Sequence, residues 1–248
     1  MPVAFYLPGQ IPVYASSLLL GLGGSLGLAW MIWGQEGRVS TWRLDLGLGV
    51  LAGALLGARV GFVAGDWSYF QSNKLEIPQA FLGGLSWVGA VSGGLLALIV
   101  TSGFKRQPVG SAGYAVLPLL TTLSACAWLG CWLDGCAYGK PVTAWWGLPA
   151  RDEWGIMSLR WPLQLVGALF SFIWFGMLSR FASRLAPGLV FWIGLTGFSG
   201  GMLLLSFLRA DASLVWRGMR AESWAAIALM SFSAGVALIT FMSGAEQR

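Results

Sequence analysis

The chain has 248 residues, of which 56% are hydrophobic and only 10% charged, with a formal net charge of +5. A soluble domain carries about 25% charged residues, so this chain cannot cover itself with polar side chains, and lipid is its expected solvent. The basic excess reads as membrane anchoring, with nothing that resembles a nucleic-acid surface. The complete lack of histidine excludes imidazole bases, Ser–His and Cys–His nucleophilic pairs, and His-ligated metal or haem sites.

The N-terminal stretch MPVAFYLPGQIPVY reads as a short segment lying at the membrane interface. Its first twelve residues hold no Lys or Arg, and the apolar run behind it is long enough to span, so a cleaved signal peptide is not expected. A spanning helix needs roughly 20 apolar residues. Seven such runs follow, over 14–33, 46–65, 82–101, 113–133, 162–178, 188–208 and 224–242. The expected fold is an all-α integral membrane protein: one domain, a seven-helix bundle, without linker or extramembrane domain.

The second span carries the clearest period. Gly49, Gly53, Gly57, Gly61 and Gly65 recur every fourth residue and share one helical face, which in lipid favours a close helix–helix contact. Arg59 lies on another side of the same helix. An arginine at membrane depth is costly and faces a polar interior, a partner or a headgroup. It is therefore either a ligand for a lipid phosphate or substrate carboxylate, or a structural or snorkelling residue.

The loops after the first, third and fifth spans are short and carry basic pairs: Arg38 and Arg43, Lys105 and Arg106, Arg180 and Arg184. The loops after the second, fourth and sixth mix basic residues with Asp66, Glu76, Asp152, Glu153, Asp211 and Glu222. That asymmetry predicts an N-terminus outside and a C-terminus in the cytoplasm. In the loop after the second span, Trp67, Tyr69 and Phe70 suit the interface.

At the end of the fourth span the chain reads WLGCWLDGCAYGKPVT, placing Cys131, Asp134, Cys136, Tyr138 and Lys140 within ten residues. The three cysteines, at 126, 131 and 136, are spaced by five and so do not share one helical face. No CxxC occurs, and no metal site is expected. Cys126 reads as a core residue. Cys131 and Cys136 flank a glycine turn on the expected outer side, and are either a disulfide pair or small apolar packing. Arg160 before Pro162, and Arg209 with Asp211 close behind, read as headgroup anchors, or as a basic phosphate pocket if they converge with Arg59.

These motifs together resemble the prolipoprotein diacylglyceryl transferase family, seven-helix enzymes that move a diacylglyceryl group from phosphatidylglycerol onto the lipobox cysteine of a secreted preprotein. IPVYASSL, with Tyr14, is similar to the start of that family's first helix. GARVG at 57–61 resembles its Gly-x-Arg-Leu-Gly element, and GGLSWVGAVSGG at 83–94 its glycine-rich third-helix signature. WLGCWLDGCAYGKP at 128–141 stands at the signature RxGNFxNGExxGxP, RWPLQL at 160–165 at RHPSQL, and FLRAD at 207–211 at FFRxxD. The resemblance covers almost the whole chain. It implies the bacterial cytoplasmic membrane, a lateral lipid-accessible cavity, and no cofactor beyond a phosphatidylglycerol-like lipid as substrate or bound lipid.

The departures from the family pattern fall on its chemistry. Val88 stands where the family has a histidine, and Trp128 where its fourth-helix signature opens with an arginine. Cys131, Asp134 and Cys136 replace two asparagines and a glutamate, Met202 stands at a second arginine, and Ser206 at a glutamate. Arg160, Pro162 and Gln164 remain. Forming a thioether needs a thiolate and stabilisation of a departing phosphate, and lost charge there costs several kcal/mol of barrier. The first reading is a divergent diacylglyceryl transferase, with Asp134 and Tyr14 as catalytic groups and Arg59, Arg160 and Arg209 on lipid phosphate. The second is a catalytically inactive homologue that binds lipid or a lipoprotein, or serves as an accessory subunit of a larger membrane complex. The third is thiol chemistry at Cys131 and Cys136.

Overall fold

The structure, a computed structural model, describes residues 2–8, 10–33, 40–80 and 83–245. Arg38 of the first short loop and Leu82, the expected start of the third span, lie outside the described residues. In chain order the helices are α1 (Ala15–Trp33), α2 (Thr41–Gly65), the one-turn α3 (Trp67–Phe70), α4 (Trp87–Phe104), α5 (Val109–Asp134), α6 (Leu163–Ala182), α7 (Pro187–Ser206) and α8 (Ala221–Ala245). All but α3 are long and apolar enough to cross a membrane, which gives seven spans among the described residues. Large apolar side chains such as Leu56, Val60, Leu96, Leu204 and Ile239 remain exposed on these helices, as expected where lipid is the solvent.

Helix ends depart from the expected spans for local reasons. α2 starts at Thr41, ahead of residue 46, because the helix continues through Arg43 and Asp45, and Asp45 pairs with Lys105 beyond α4. α4 starts later than expected, at Trp87: Gly84 takes φ +76°, and Ser86 Oγ caps the helix by accepting from the Gly89 N–H at 3.3 Å. α5 stops where Gly135 adopts φ +73°, and the Gly135 N–H donates to the Cys131 carbonyl.

The glycine face of α2 packs on α4. A Cβ on Gly53 would lie 2.7 Å from the Gly93 carbonyl oxygen, and one on Gly61 2.9 Å from Gly89 Cα. At Gly57 it would collide with the Gly89 carbonyl oxygen, and reciprocally a Cβ on Gly89 would strike that of Gly57. Gly49 abuts Thr101, whereas Gly65 faces open space. Four of the five glycines therefore make the contact that their period implies.

The main core gathers Leu46 and Val50 of α2, Leu98 of α4, Leu117 and Leu119 of α5, Phe175 of α6 and Val190, Leu195 and Phe198 of α7. Hydroxyl pairs also join the helices: Ser124 with Ser171 at 2.9 Å, Thr196 to Ser233 at 2.9 Å, and Ser206 with Ser223 at 2.8 Å. Such bonds are worth about 0.6 kcal/mol each in membrane bundles.

One end of the bundle carries three antiparallel hairpins that the helical pattern does not announce. These are β1 (Val3–Leu7) with β2 (Ile11–Tyr14), β3 (Leu148–Arg151) with β4 (Met157–Arg160), and β5 (Val215–Trp216) with β6 (Met219–Arg220). The first is the stretch read as an interfacial segment. The last turns on Arg217 and Gly218, at φ +49° and +79°, the two-residue geometry that matches strand twist.

Candidate functional site

The site is built where α5 ends and α6 begins, at the hairpin end. Gly135 is required there twice: for its left-handed φ, and because a Cβ would lie 2.8 Å from the Asp152 carbonyl oxygen. The chain then runs extended as a bridge between two others. The Ala210 N–H donates to Tyr138 O (2.9 Å) and the Lys140 N–H to Leu208 O (3.0 Å). On the other side the Trp161 N–H donates to Lys140 O (3.0 Å) and the Val142 N–H to Leu159 O (2.9 Å). Residues 138–142 thus tie the exit of α7 to the entry of α6.

Under this bridge lies a buried ion pair. Arg160 Nη2 donates to Asp152 Oδ2 at 3.2 Å, with the two side chains 9% and 6% exposed. The other oxygen, Asp152 Oδ1, accepts from the Trp154 and Ile156 N–H groups at 3.0 and 2.8 Å. The Arg160 guanidinium lies 4.5 Å from the centre of the Tyr138 ring. Burial, together with the nearby Glu153 and Asp211 carboxylates, pushes the Tyr138 phenol above its ordinary value, so it stays neutral.

Cys131 and Cys136 are joined as a disulfide, with Cα atoms 4.6 Å apart. Gln164, fully buried on the first turn of α6, donates from Nε2 to the Cys136 carbonyl at 3.0 Å. Several buried polar atoms around this segment have no partner among the described residues: Asp134 Oδ1, Ser158 Oγ, Arg160 Nε and Gln164 Oε1. A buried polar atom left unpaired costs about 1–3 kcal/mol, and this segment concentrates one donor and two strong acceptors. The set is suited to a polar ligand that both donates and accepts.

The other two predicted arginines stand in separate networks. Arg59 donates to four main-chain carbonyls, those of Ile77 and Gly83 at 2.8 Å, Gly84 at 3.2 Å, and Glu76. A guanidinium has five N–H donors, so at most one is left over, and the Phe62 and Phe70 rings flank it. Arg59 therefore latches residues 76–77 and 83–84 onto α2. Arg209 grips Asp211 with Nε and Nη2 and reaches Glu222 at 2.7 Å, while Arg220 also meets Asp211 at 3.3 Å. Burial alone would lower the Arg209 pKa, but the Asp211 hydrogen bond and the two carboxylates more than offset it, so the group is held charged. Arg59, Arg160 and Arg209 share no partner among the described residues: Arg59 is held by carbonyls, and Arg160 and Arg209 are paired with carboxylates, in three separate networks where the sequence allowed one basic pocket.

Tyr14 closes β2 and leads into α1, two residues before Ser16. Ser16 packs on Gly130, next to Cys131, so the hairpin β1–β2 neighbours the site. The two positions where the resemblance expects arginines in the fourth and sixth spans are filled with apolar bulk. Trp128 is buried and lies on Gly167 with Ala125, Leu163 and Leu205 around it, while Met202 packs against both core clusters. Cys126 is a free, half-buried thiol against Gly23. Sequence reasoning gave no role to Asp152, Glu222 or Arg220; their only signal was charge in long loops, and their partners lie up to 13 residues away in the chain.

Two pockets flank these residues. One, of about 420 Å³, opens among Pro141, Val142, Thr143, Ala144, Trp146 and Trp161, beside Arg160. The other, of about 210 Å³, is an apolar crevice along α2 lined by Arg59, Val60, Val63, Ala64, Trp67 and Ile77.

The family model for prolipoprotein diacylglyceryl transferase matches residues 2–240. Several phosphatidylglycerol–prolipoprotein diacylglyceryl transferases are similar to the chain. That of Streptococcus suis is 31% identical, over 90% of this chain and 86% of its own length. That of Bifidobacterium longum subsp. infantis is 24% identical, over 97% and 84%. That of Nocardia farcinica is 27% identical over 94% of this chain, which spans only 52% of that relative's length. With the seven spans and the ordered motifs, these matches show that the chain belongs to the prolipoprotein diacylglyceryl transferase family.

Proposed function

We propose that the protein binds a phosphatidylglycerol-type lipid by its headgroup at the hairpin end of the bundle, and that its turnover of diacylglyceryl onto a lipoprotein cysteine is reduced by orders of magnitude or lost. The observation that carries this is the unpartnered set Arg160 Nε, Asp134 Oδ1 and Gln164 Oε1 around one segment. A glycerol headgroup offers hydroxyl donors for the two acceptors and phosphate oxygens for the guanidinium. Weak turnover follows from Trp128 and Met202, apolar where the resemblance expects arginines, and from Arg59 and Arg209 being held by their own chain. The proposed orientation has the N-terminus outside, which the disulfide at the hairpin end supports, since disulfides persist on the oxidising side.

The test is to purify the protein in mild detergent, identify bound lipid by native mass spectrometry, and incubate it with phosphatidylglycerol and a lipobox peptide. Bound phosphatidylglycerol without a diacylglyceryl mass on the peptide is expected, with lipid lost in Gln164→Leu. Robust peptide modification would overturn the binding-only reading. It would favour the divergent-transferase reading, which the inward oxygen of Asp134 supports and in which Asp134→Ala abolishes transfer. Stable co-purification of other membrane subunits or a lipoprotein would extend the binding reading to an accessory role.

A further inference from the structure

We propose that the Cys131–Cys136 disulfide is an exchange site for an external dithiol, attacked at Cys136, with Asp134 receiving the thiol of Cys131 once the bond opens. The two half-cystines are unequal: Cys136 is exposed and lies beyond the helix, whereas Cys131 is half-buried in the last turn of α5. An incoming thiolate therefore reaches the sulfur of Cys136. Its sulfur bonds to Cys136 Sγ, the Cys131–Cys136 bond breaks, and the electron pair goes to Cys131 Sγ, which takes a proton from water. The second thiol of the reagent, as thiolate, then attacks its own sulfur in the mixed disulfide and releases Cys136 as a thiolate. The reagent leaves as a cyclic disulfide, oxidised by two electrons, and the protein holds two reduced cysteines.

Two features favour a stable open form. Cys131 sits at a helix C-terminus, where the negative end of the dipole disfavours a thiolate, so the protonated thiol is the product. Asp134 follows Cys131 by three residues, a spacing that makes side chains neighbours on a helix, and its buried Oδ1 has no partner in the bonded form. The Cys131 thiol, a weak donor, supplies one. The open bond also frees Ala137, a buried non-glycine residue held at φ +49°. Ala137 lies between the carbonyl that Gln164 holds and the Tyr138 ring that covers Arg160. The redox state is thereby coupled to the bridge 138–142.

The experiment uses the full chain with Cys126→Ser as background, in lipid nanodiscs, equilibrated in dithiothreitol buffers of graded poise, with free thiols counted by mass-tagged alkylation. Two thiols are expected to appear together while tryptophan fluorescence stays native. With oxidised glutathione as probe, Cys131→Ser should gain one glutathione at Cys136, and Cys136→Ser should gain none at Cys131. Asp134→Ala should lower the ratio of reduced to oxidised protein about five-fold at a given poise, and Asp134→Asn, which keeps an acceptor oxygen, should restore most of it. Thiols released only on unfolding, glutathione taken up equally at both positions, or an Asp134→Ala ratio equal to wild type would overturn the proposal. With nanodiscs of a zwitterionic lipid, no phosphatidylglycerol headgroup competes for Asp134 Oδ1, so the thiol and glutathione counts fail or succeed separately from lipid binding and diacylglyceryl transfer.

Discussion

The α2–α4 contact and the hairpin end hold the same chain together by opposite means. Between α2 and α4 almost nothing intervenes: Gly53, Gly57 and Gly61 face Gly89 and Gly93, and backbone meets backbone. At the hairpin end, side chains from distant turns meet: Asp152 with Arg160, Arg209 with Glu222, Gln164 with the Cys136 carbonyl. The first depends on the absence of atoms, the second on specific atoms. A small-residue seam fails when volume is added to it, whereas a paired polar cluster fails when one member of a pair is removed.

The largest effect should come from breaking a pair. Arg160→Ala leaves Asp152 buried with only its two main-chain donors, and an uncompensated buried charge costs about 3–5 kcal/mol. Thermal unfolding in detergent should show a large loss, most of it recovered when Asp152→Asn is added. Full stability in the single variant would mean that the pair is not dry. Next, Gly57→Leu forces α2 and α4 apart, since the Cβ meets a backbone carbonyl that cannot turn aside. A cost of about 2–3 kcal/mol is expected for such overpacking, read as a lower unfolding midpoint, whereas Gly65→Leu, facing open space, should cost little.

A smaller change sharpens the contrast within α2 itself. Arg59→Lys keeps the charge but loses the planar fork that spans four carbonyls. A loss of about 1–3 kcal/mol, from carbonyls left unpaired, should appear as faster hydrogen exchange in residues 74–86 with α4 unchanged. The smallest effect is in pH. Tyr138 is raised above its ordinary value of about 10 by burial and neighbouring carboxylates, so the folded state binds that proton more tightly than the unfolded one. Its contribution is fully present below about pH 10 and is lost as pH rises through the raised value. Tyr138→Phe should flatten this alkaline fall while keeping a ring on Arg160.

Much of the fold was legible because its determinants are local. Seven apolar runs give seven spans, and a period of four glycines names the face that packs. Arg59 was legible as a costly residue that must be satisfied, but its partners, the carbonyls of Glu76, Ile77, Gly83 and Gly84, are main-chain atoms with no sequence signature. The disulfide was legible as one of two alternatives at Cys131 and Cys136. The unpartnered set could not be read from the sequence, because whether Gln164 Oε1 or Arg160 Nε finds a partner depends on how two helix ends and a hairpin meet.

The sequence by itself therefore determined the solvent, the number of spans, the glycine contact and, through ordered motifs, the family. It also determined that imidazole chemistry is excluded, since a residue type that is absent cannot be supplied by folding. Only the tertiary structure decided which charges are spent on the protein itself. Arg59 is spent on carbonyls, Arg209 on Asp211 and Glu222, and Arg160 on Asp152 with its buried Nε left unpartnered among the described residues. The physical reason is that apolar patterning acts through area and period, both read along one helix, whereas the state of a buried charge is set by whichever polar atoms the fold brings within about 3 Å of it.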